Sequence, residues 1–364
     1  MFFELPERRM SLSLHPSRAS ISRHNIAVSS AFICAAGLLG ATSASAQITG
    51  DWTRHFRLGS VAALNLKGDF NLNGSFATPS RASGGAASDL IYDDGYIRQD
   101  ATGNAGNLSS YWGYQSGSQY NAGAGTMLFH SASSLVANTP RSREDNQVDA
   151  GLEAGYGGVL ALWGHTLVGW DLGFSYLPIA VRDTRNLGVS LSRNLFTVPI
   201  GFAPPQAPYN GGPSGVGPLI GTVPTPAGTD GVAATLTGKR SIETSLYNFK
   251  LGPTFYWDLG RRWALQAGAG GAFGLLDGAY KYQEVAVSAD GGRTPLSGRF
   301  GKSSFSYGGY AGAMLLWHTA EKADVYLGAH YMTLGGATYG GAGREARLRL
   351  NNGIYLSVGV NWPF

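Results

Sequence analysis

The sequence predicts an all-β fold: a transmembrane antiparallel up-and-down β-barrel of eight strands, with ten strands as the alternative. Three observations predict it. Apolar residues recur at every second position in eight separate segments. The connections between those segments alternate between tight turns and long insertions. The tryptophans gather at segment ends rather than along them. A period of two marks an extended strand with one apolar and one polar face. A closed barrel of such strands satisfies every backbone group inside hydrocarbon.

Composition agrees. The chain has 54 glycines and 12% aromatic residues but only 14% charged residues, an unusual balance for a water-soluble domain. Arg8, Arg9, Arg18 and Arg23 precede an apolar stretch from Ile26 to Leu39, and the small residues Ala44-Ser45-Ala46 follow. This is the pattern of a secretory signal peptide, which assigns 1–46 to a cleaved leader and 47–364 to the mature domain. The apolar stretch is shorter than the roughly 20 residues of a spanning helix. Met10 is an alternative start, because the first nine residues add little to the leader.

Cys34 is the single cysteine and falls in the leader. A lipidated cysteine is the other reading, opposed by the bulky Ile33 before it. The mature domain then has neither disulfides nor thiolate metal sites. Of 27 basic and 23 acidic residues, four arginines and two glutamates belong to the leader, so the mature domain is near neutral at +2. That balance excludes a polyanion such as nucleic acid as partner.

The first predicted strand runs from about Phe56 to Leu66, with Phe56, Leu58, Ala62, Leu64 and Leu66 against Arg57, Asn65 and Lys67. The second sets Val148, Leu152, Tyr156, Leu160 and Leu162 against Asp149 and Glu153. In the third, Val168, Trp170, Leu172, Phe174 and Tyr176 oppose Asp171 and Ser175, and in the fourth Tyr247, Phe249, Leu251, Phe255 and Trp257 oppose Asn248 and Lys250. Trp263, Leu265, Ala267, Phe273 and Leu275 mark the fifth, opposite Gln266 and glycines. Phe305, Tyr307, Leu315 and Trp317 mark the sixth, opposite His318. The seventh carries Val325, Leu327 and Tyr331 opposite His330. The eighth carries Ile354, Leu356, Val358, Val360, Trp362 and Phe364. Its alternation continues backwards through Leu350 and Leu348, opposite Arg349 and Arg347.

Gly164-His165-Thr166, Leu259 to Arg262 and Thr319 to Asp324 read as tight turns. The insertions fall at about 68–146, 178–241, 276–303 and 335–345. Short turns on one side and long loops on the other are the habit of transmembrane barrels. Trp52, Trp163, Trp170, Trp257, Trp263, Trp317 and Trp362, with Phe364, fall beside the short turns or chain ends and form one predicted aromatic girdle. Tyr176, Tyr247, Phe249, Phe305 and Tyr307 form the other. Trp112 alone lies in the first insertion.

The leader, the alternating strands and the terminal Phe364 together resemble bacterial outer-membrane β-barrels, especially the small eight-stranded kind, over residues 53–364. In the first insertion, Tyr92-Asp93-Asp94-Gly95-Tyr96, Gly103-Asn104 and Trp112-Gly113-Tyr114 are similar to a segment of uncharacterised members. The resemblance implies a bacterial outer-membrane location, outer-membrane lipids as surroundings, and reading of Phe364 by the barrel-assembly machinery. It brings no known activity with it.

For the chemistry, Arg57, Asp149, Glu153, Asp171, Lys250, Arg347 and Arg349 collect on the predicted lumen face, with Gln266, His318 and His330. Eight strands enclose a space that side chains alone can fill, so these charges are expected to pair into an internal plug; Asp149, Glu153 and Asp171 are the expected partners of Arg347 and Arg349. A narrow ion path or small-ligand site lined by the same residues is the alternative. No hydrolase arrangement is present: His130 and Ser131 are adjacent and point to opposite strand faces. Asp93, Asp94, Asp100 and Asn104 offer oxygen ligands for calcium but lack the spacing of an EF-hand loop, and Asp and Gly here read as turn residues. Neither a catalytic site, a cofactor nor a metal is expected. The first insertion is too long to be structureless and reads as either an extra hairpin in the wall or an extracellular cap. The second, rich in proline, reads as mobile. The function expected is structural or loop-mediated binding of an extracellular ligand, with a small diffusion channel as alternative and an outer-membrane lipid-modifying enzyme third.

Overall fold

The computed structural model describes residues 54–79, 89–145, 148–260, 262–320, 323–341 and 343–364. The leader, Cys34 and Trp52 lie outside the described residues.

Thirteen strands make the main sheet, the two-residue Tyr120–Asn121 and twelve longer ones: β1 (Arg54–Leu64), β2 (Lys67–Ala77), β3 (Thr126–Asn138), β4 (Ser142–Asp145), β5 (Asp149–Trp163) and β6 (Thr166–Asp183). They continue as β7 (Leu187–Pro199), β8 (Thr225–Asp258), β9 (Trp263–Ser288), β10 (Arg293–Ala320), β11 (Ala323–Gly341) and β12 (Arg344–Pro363). Eight of them form a ring of antiparallel neighbours in the order β1–β5–β6–β8–β9–β10–β11–β12, and β12 returns to β1. Backbone hydrogen bonds between Arg54 and Phe364, at 3.2 and 2.9 Å, close that seam. That seam and the tight turns lie at one end of the ring, its lower end.

Above the ring the wall continues as a second storey. There β2 pairs with β12, β3 with β2, β7 with β3, and the upper half of β8 with β7. The hairpin expected from the first insertion therefore joins the wall above the eight-membered ring, not within it. Strands β8, β9 and β10 run for 34, 26 and 28 residues, well beyond the roughly 9–11 that a membrane crossing requires. The segments 276–303 and 335–345 are thus tall hairpins with short turns, where long loops were expected.

The reason they read as loops is a reversal of polarity along each strand. In the lower storey the outward residues are apolar: Leu172, Phe174 and Tyr176 on β6, Leu251, Phe249 and Tyr247 on β8, Tyr307 and Phe305 on β10. Two to six residues further up, the same faces carry Arg182, Glu243, Ser241, Ser303 and Arg299, while Leu177, Ile179, Val181, Ile242, Leu246 and Leu276 turn inward. A pattern that looks for an apolar outer face loses the strand at this crossover.

β12 shows the reversal most sharply. Below it, Ile354, Leu356 and Trp362 face out; above it, Ala346, Leu348 and Leu350 are buried in the interior. Asn351 and Asn352 are both exposed, and the ladder to β11 steps from Met332–Gly353 to Leu334–Leu350. Two residues opposing one is a β-bulge, which shifts the alternation by one. Arg347 and Arg349 therefore face outward rather than into the lumen, and Arg349 pairs with Asp69 of β2. Asn65, in the left-handed conformation at φ 61°, ends β1 and donates to the Asn352 carbonyl at 2.9 Å, so a polar clasp marks the same level.

The aromatic-rich first insertion and the proline-rich second fold together as a cap. Tyr209–Asn210 pair with Trp112–Tyr114, and Ile220–Gly221 with Leu108–Ser109. Trp112 is fully buried and donates through Nε1 to the Pro218 carbonyl at 2.8 Å. Tyr114 stacks beside it and donates to the Pro205 carbonyl. The second insertion, expected to be mobile, is instead packed on the first. Prolines withhold N–H groups from a ladder, but their carbonyls accept from the aromatic side chains.

Candidate functional site

The lower storey places Arg57, Glu153, Asp171 and Lys250 inside the ring. Arg57 donates from both terminal nitrogens to the two Asp171 oxygens at 2.8 and 2.7 Å. Lys250 Nζ donates to Glu153 Oε2 at 2.9 Å. Each pair reaches over an intervening strand, and in each case a glycine makes the passage. A Cβ on Gly155 of β5 would sit 2.5 Å from Arg57 Nη2, and one on Gly173 of β6 would meet Lys250 Cε at 3.0 Å. The glycines opposite the apolar residues are the space that the charged side chains occupy.

His55 Nε2 lies 3.5 Å from Asp171, and Lys250 Nζ lies 5.9 Å from the Tyr310 ring centre. Nearer the lower end, His318 Nδ1 meets Asp324 at 2.6 Å, and Asn361 donates to the other Asp324 oxygen at 3.1 Å. Gln266 and His330 are buried among these groups, and Asp149 is half-buried at the rim opposite Ala63. Two spaces left between the side chains measure about 10 and 30 Å³, room for a water or two.

Above the charged layer an apolar layer crosses the ring: Leu177, Ile179, Val181, Ile242, Leu246, Leu276, Leu334, Leu348 and Leu350 are each 2% exposed or less. A second charged layer follows. Arg240 meets Glu284 at 3.0 Å and Asp183 at 3.3 Å, and Arg344 meets the other Glu284 oxygen and lies 4.0 Å from the Tyr282 ring centre. Sequence reasoning missed this network because all four charged residues fall in segments read as loops or at their edges. The signal available was phase: Arg240 keeps step with Ile242 and Leu246 on β8.

The expected girdle residues lie together at the lower end. Trp263 stacks on Trp317 at 6.0 Å, Phe56 on Trp362 at 6.1 Å, and Phe255 on Trp257 at 6.3 Å. Tyr156 bridges Trp170 and Phe364. Trp163, at the β5–β6 turn, is 76% exposed, and Phe364 is 62% exposed. Such large exposed apolar surface calls for a nonaqueous neighbour.

In the cap the acidic residues act as backbone anchors. Asp94 accepts from the backbone and ring of His130, and Asp93 from the Ala132 amide. Asp100 accepts from Ser110 and Thr102, which together hold its carboxyl well below the usual range; the Ser110 amide contributes most. His130 thus serves the cap, and Ser131 lies on the opposite strand face. Among the described residues no group of three or more candidate ligands could hold a metal ion.

Comparison with known proteins finds no matching family model and no matching curated protein. Among solved structures, the outer membrane protease OmpT from Escherichia coli has a TM-score of 0.34 and 9% identity, covering 88% of this chain and 100% of that one. A Pseudomonas aeruginosa FadL homologue scores 0.17 at 8% identity, covering 86% of this chain and 90% of that one. These similarities are low, and neither carries a fold or an activity over to this chain.

Proposed function

We propose that this chain is a bacterial outer-membrane protein whose eight-stranded ring is a closed, filled barrel that holds a folded cap outside the cell. Its role on this reading is structural or ligand-binding through the cap, without catalysis. One observation carries it: a paired charge layer and an apolar layer stand in series inside the ring. An ion crossing the apolar layer would lose its hydration without replacement, at a cost of several kcal/mol. The outward apolar belt between two aromatic rows supports membrane residence, since lipid-facing bands flanked by aromatic girdles are the habit of such barrels. Phe364, at the closing seam, is the residue proposed to be read by the assembly machinery.

The test uses full-length protein refolded in detergent and moved into planar bilayers. The expected results are faster mobility on gels of unboiled than of boiled samples, and no unitary conductance steps. Reproducible steps would replace this reading with a diffusion channel. Recovery of the folded chain as soluble periplasmic material would overturn the membrane assignment.

A further inference from the structure

The wall of the upper storey is unzipped at one seam. From the lower end, β10 and β11 pair as far as Gly308 and Leu334, and among the described residues their ladder stops there. Both strands run on. β10 stays paired with β9 up to Arg293, and β11 with β12 up to Gly341. Residues 294–307 of β10 therefore have a paired strand on one side only. An antiparallel strand turns the N–H and C=O groups of alternate residues to opposite sides, so half of this segment presents its backbone to an open edge. Two side chains reach across where a ladder would run. Ser306 Oγ donates to the Gly335 carbonyl at 2.7 Å, and Lys302 Nζ to that of Thr338 at 3.5 Å. Closing a barrel removes such edges; here one is left.

The surface beside the edge is graded. On the outward face the ladder sets Arg299 beside Lys281, Gly301 beside Ala279 and Ser303 beside Asp277. These six residues line a groove of about 740 Å³. Lys281 is held by Glu243 at 2.5 Å. Among the described residues, no carboxylate lies within ion-pair distance of Arg299 and no cation within that distance of Asp277, and both are exposed. Asp277 accepts from the Ser303 hydroxyl at 2.6 Å. Between the free cation and the free anion stands Gly301, whose missing side chain leaves the groove open towards the edge.

We propose that β10 takes up an extended peptide as an added antiparallel strand, with the pattern basic, any, bulky apolar, any, acidic. Main-chain hydrogen bonds to an open edge give such a ligand its affinity, and its alternate side chains give specificity. β10 runs downward from Arg299 to Ser303, so an antiparallel strand runs upward past the same points. Its acidic side chain stands opposite Arg299, and its bulky one lies over Gly301 in the groove. Its basic side chain, opposite Ser303, reaches one strand further to Asp277. The cap takes no part in this surface, and the folded wall suffices for it whichever compartment it faces.

The test is fluorescence anisotropy of labelled Ser-Lys-Thr-Phe-Thr-Glu-Ser with the folded full-length protein in detergent, each variant matched to wild type by circular dichroism. Two further peptides carry N-methyl groups on one or the other set of alternate backbone amides. An added strand turns one set to β10 and the other away from it. One N-methylated peptide should therefore bind at least about tenfold more weakly while the other binds as the parent does. Arg299→Glu should weaken the parent peptide about fivefold and favour, by about as much, a peptide with Lys in place of its Glu. Absence of binding, equal effects of the two N-methyl sets, or an unchanged preference in the Arg299→Glu protein would each overturn the proposal. So would a dimer that the peptide disperses, which would assign the edge to a second copy of this chain.

Discussion

Arg57 and Asp171 hold each other in a two-pronged clasp across β5, and the passage exists because position 155 is glycine. Both partners are almost fully buried, so breaking the pair leaves a buried charge without its directly bonded partner. Asp171→Asn is expected to lower stability by about 3–5 kcal/mol. The readout is the urea midpoint of the unboiled gel shift. Arg57→Met/Asp171→Leu, which removes both charges, should recover most of the loss; if the double variant is no better than the single, the pair is not what the interior requires.

The seam between β1 and β12 makes a steric prediction. Gly59 faces Gly359, and a Cβ on Gly59 would collide with the Val358 carbonyl and the Tyr326 hydroxyl. Gly59→Val should cost about 1–3 kcal/mol through overpacking, seen as slower folding yield and a lower melting midpoint. An unchanged midpoint would mean that Tyr326 has another place to go.

The cap should be separable from the ring. Trp112 is the largest fully buried side chain among the described residues and touches both insertions. Trp112→Ala is expected to destabilise the cap by about 3–5 kcal/mol, exposing residues 89–125 and 200–224 to protease while the gel shift of the barrel persists. Loss of the shift as well would show that cap and ring fold as one unit.

Acid should loosen the tip of the β9–β10 hairpin before the ring. Burial acts to raise the Asp290 carboxyl, but the Ser288 hydroxyl and Arg193 outweigh it and bring it down to about 2 from 3.8. A carboxylate with a depressed value stabilises the fold above its ordinary pKa and loses that contribution as pH falls through the folded value. The hydrogen-exchange protection factor, corrected for the intrinsic pH dependence of exchange, should therefore be level at Asp290 to Arg293 above about pH 4 and fall towards pH 2. Asp290→Asn should flatten this dependence.

The lower storey was legible in the sequence because an apolar outer face and a polar inner one give one unbroken alternation; Ile354 to Phe364 and Phe56 to Leu64 declare it. What lay above was not, because the polarity of the two faces reverses there. Leu348 and Leu350 kept the period of two across the Asn351-Asn352 bulge but exchanged faces, so Arg347 and Arg349 were assigned a lumen that they do not reach. Arg240, Glu284 and Arg344 were lost for the same reason. The Trp112 cluster depends on contacts between insertions about a hundred residues apart, which no local pattern records.

On the membrane reading proposed above, the polarity reversal also fixes how deep the molecule floats. Sinking by two residues of strand would carry Asp277 into hydrocarbon, and by six residues Arg182, Lys281 and Arg299 as well. Each cation costs from near zero to about 1 kcal/mol at the interface and about 2–4 kcal/mol at mid-membrane. Rising by two residues would lift Tyr176 and its ladder neighbours Tyr247, Leu275 and Phe305 into water. Vertical displacement is opposed in both directions, so the chain carries its own waterline, and the height at which the cap stands above the surface is written into the register of β6, β8, β9 and β10.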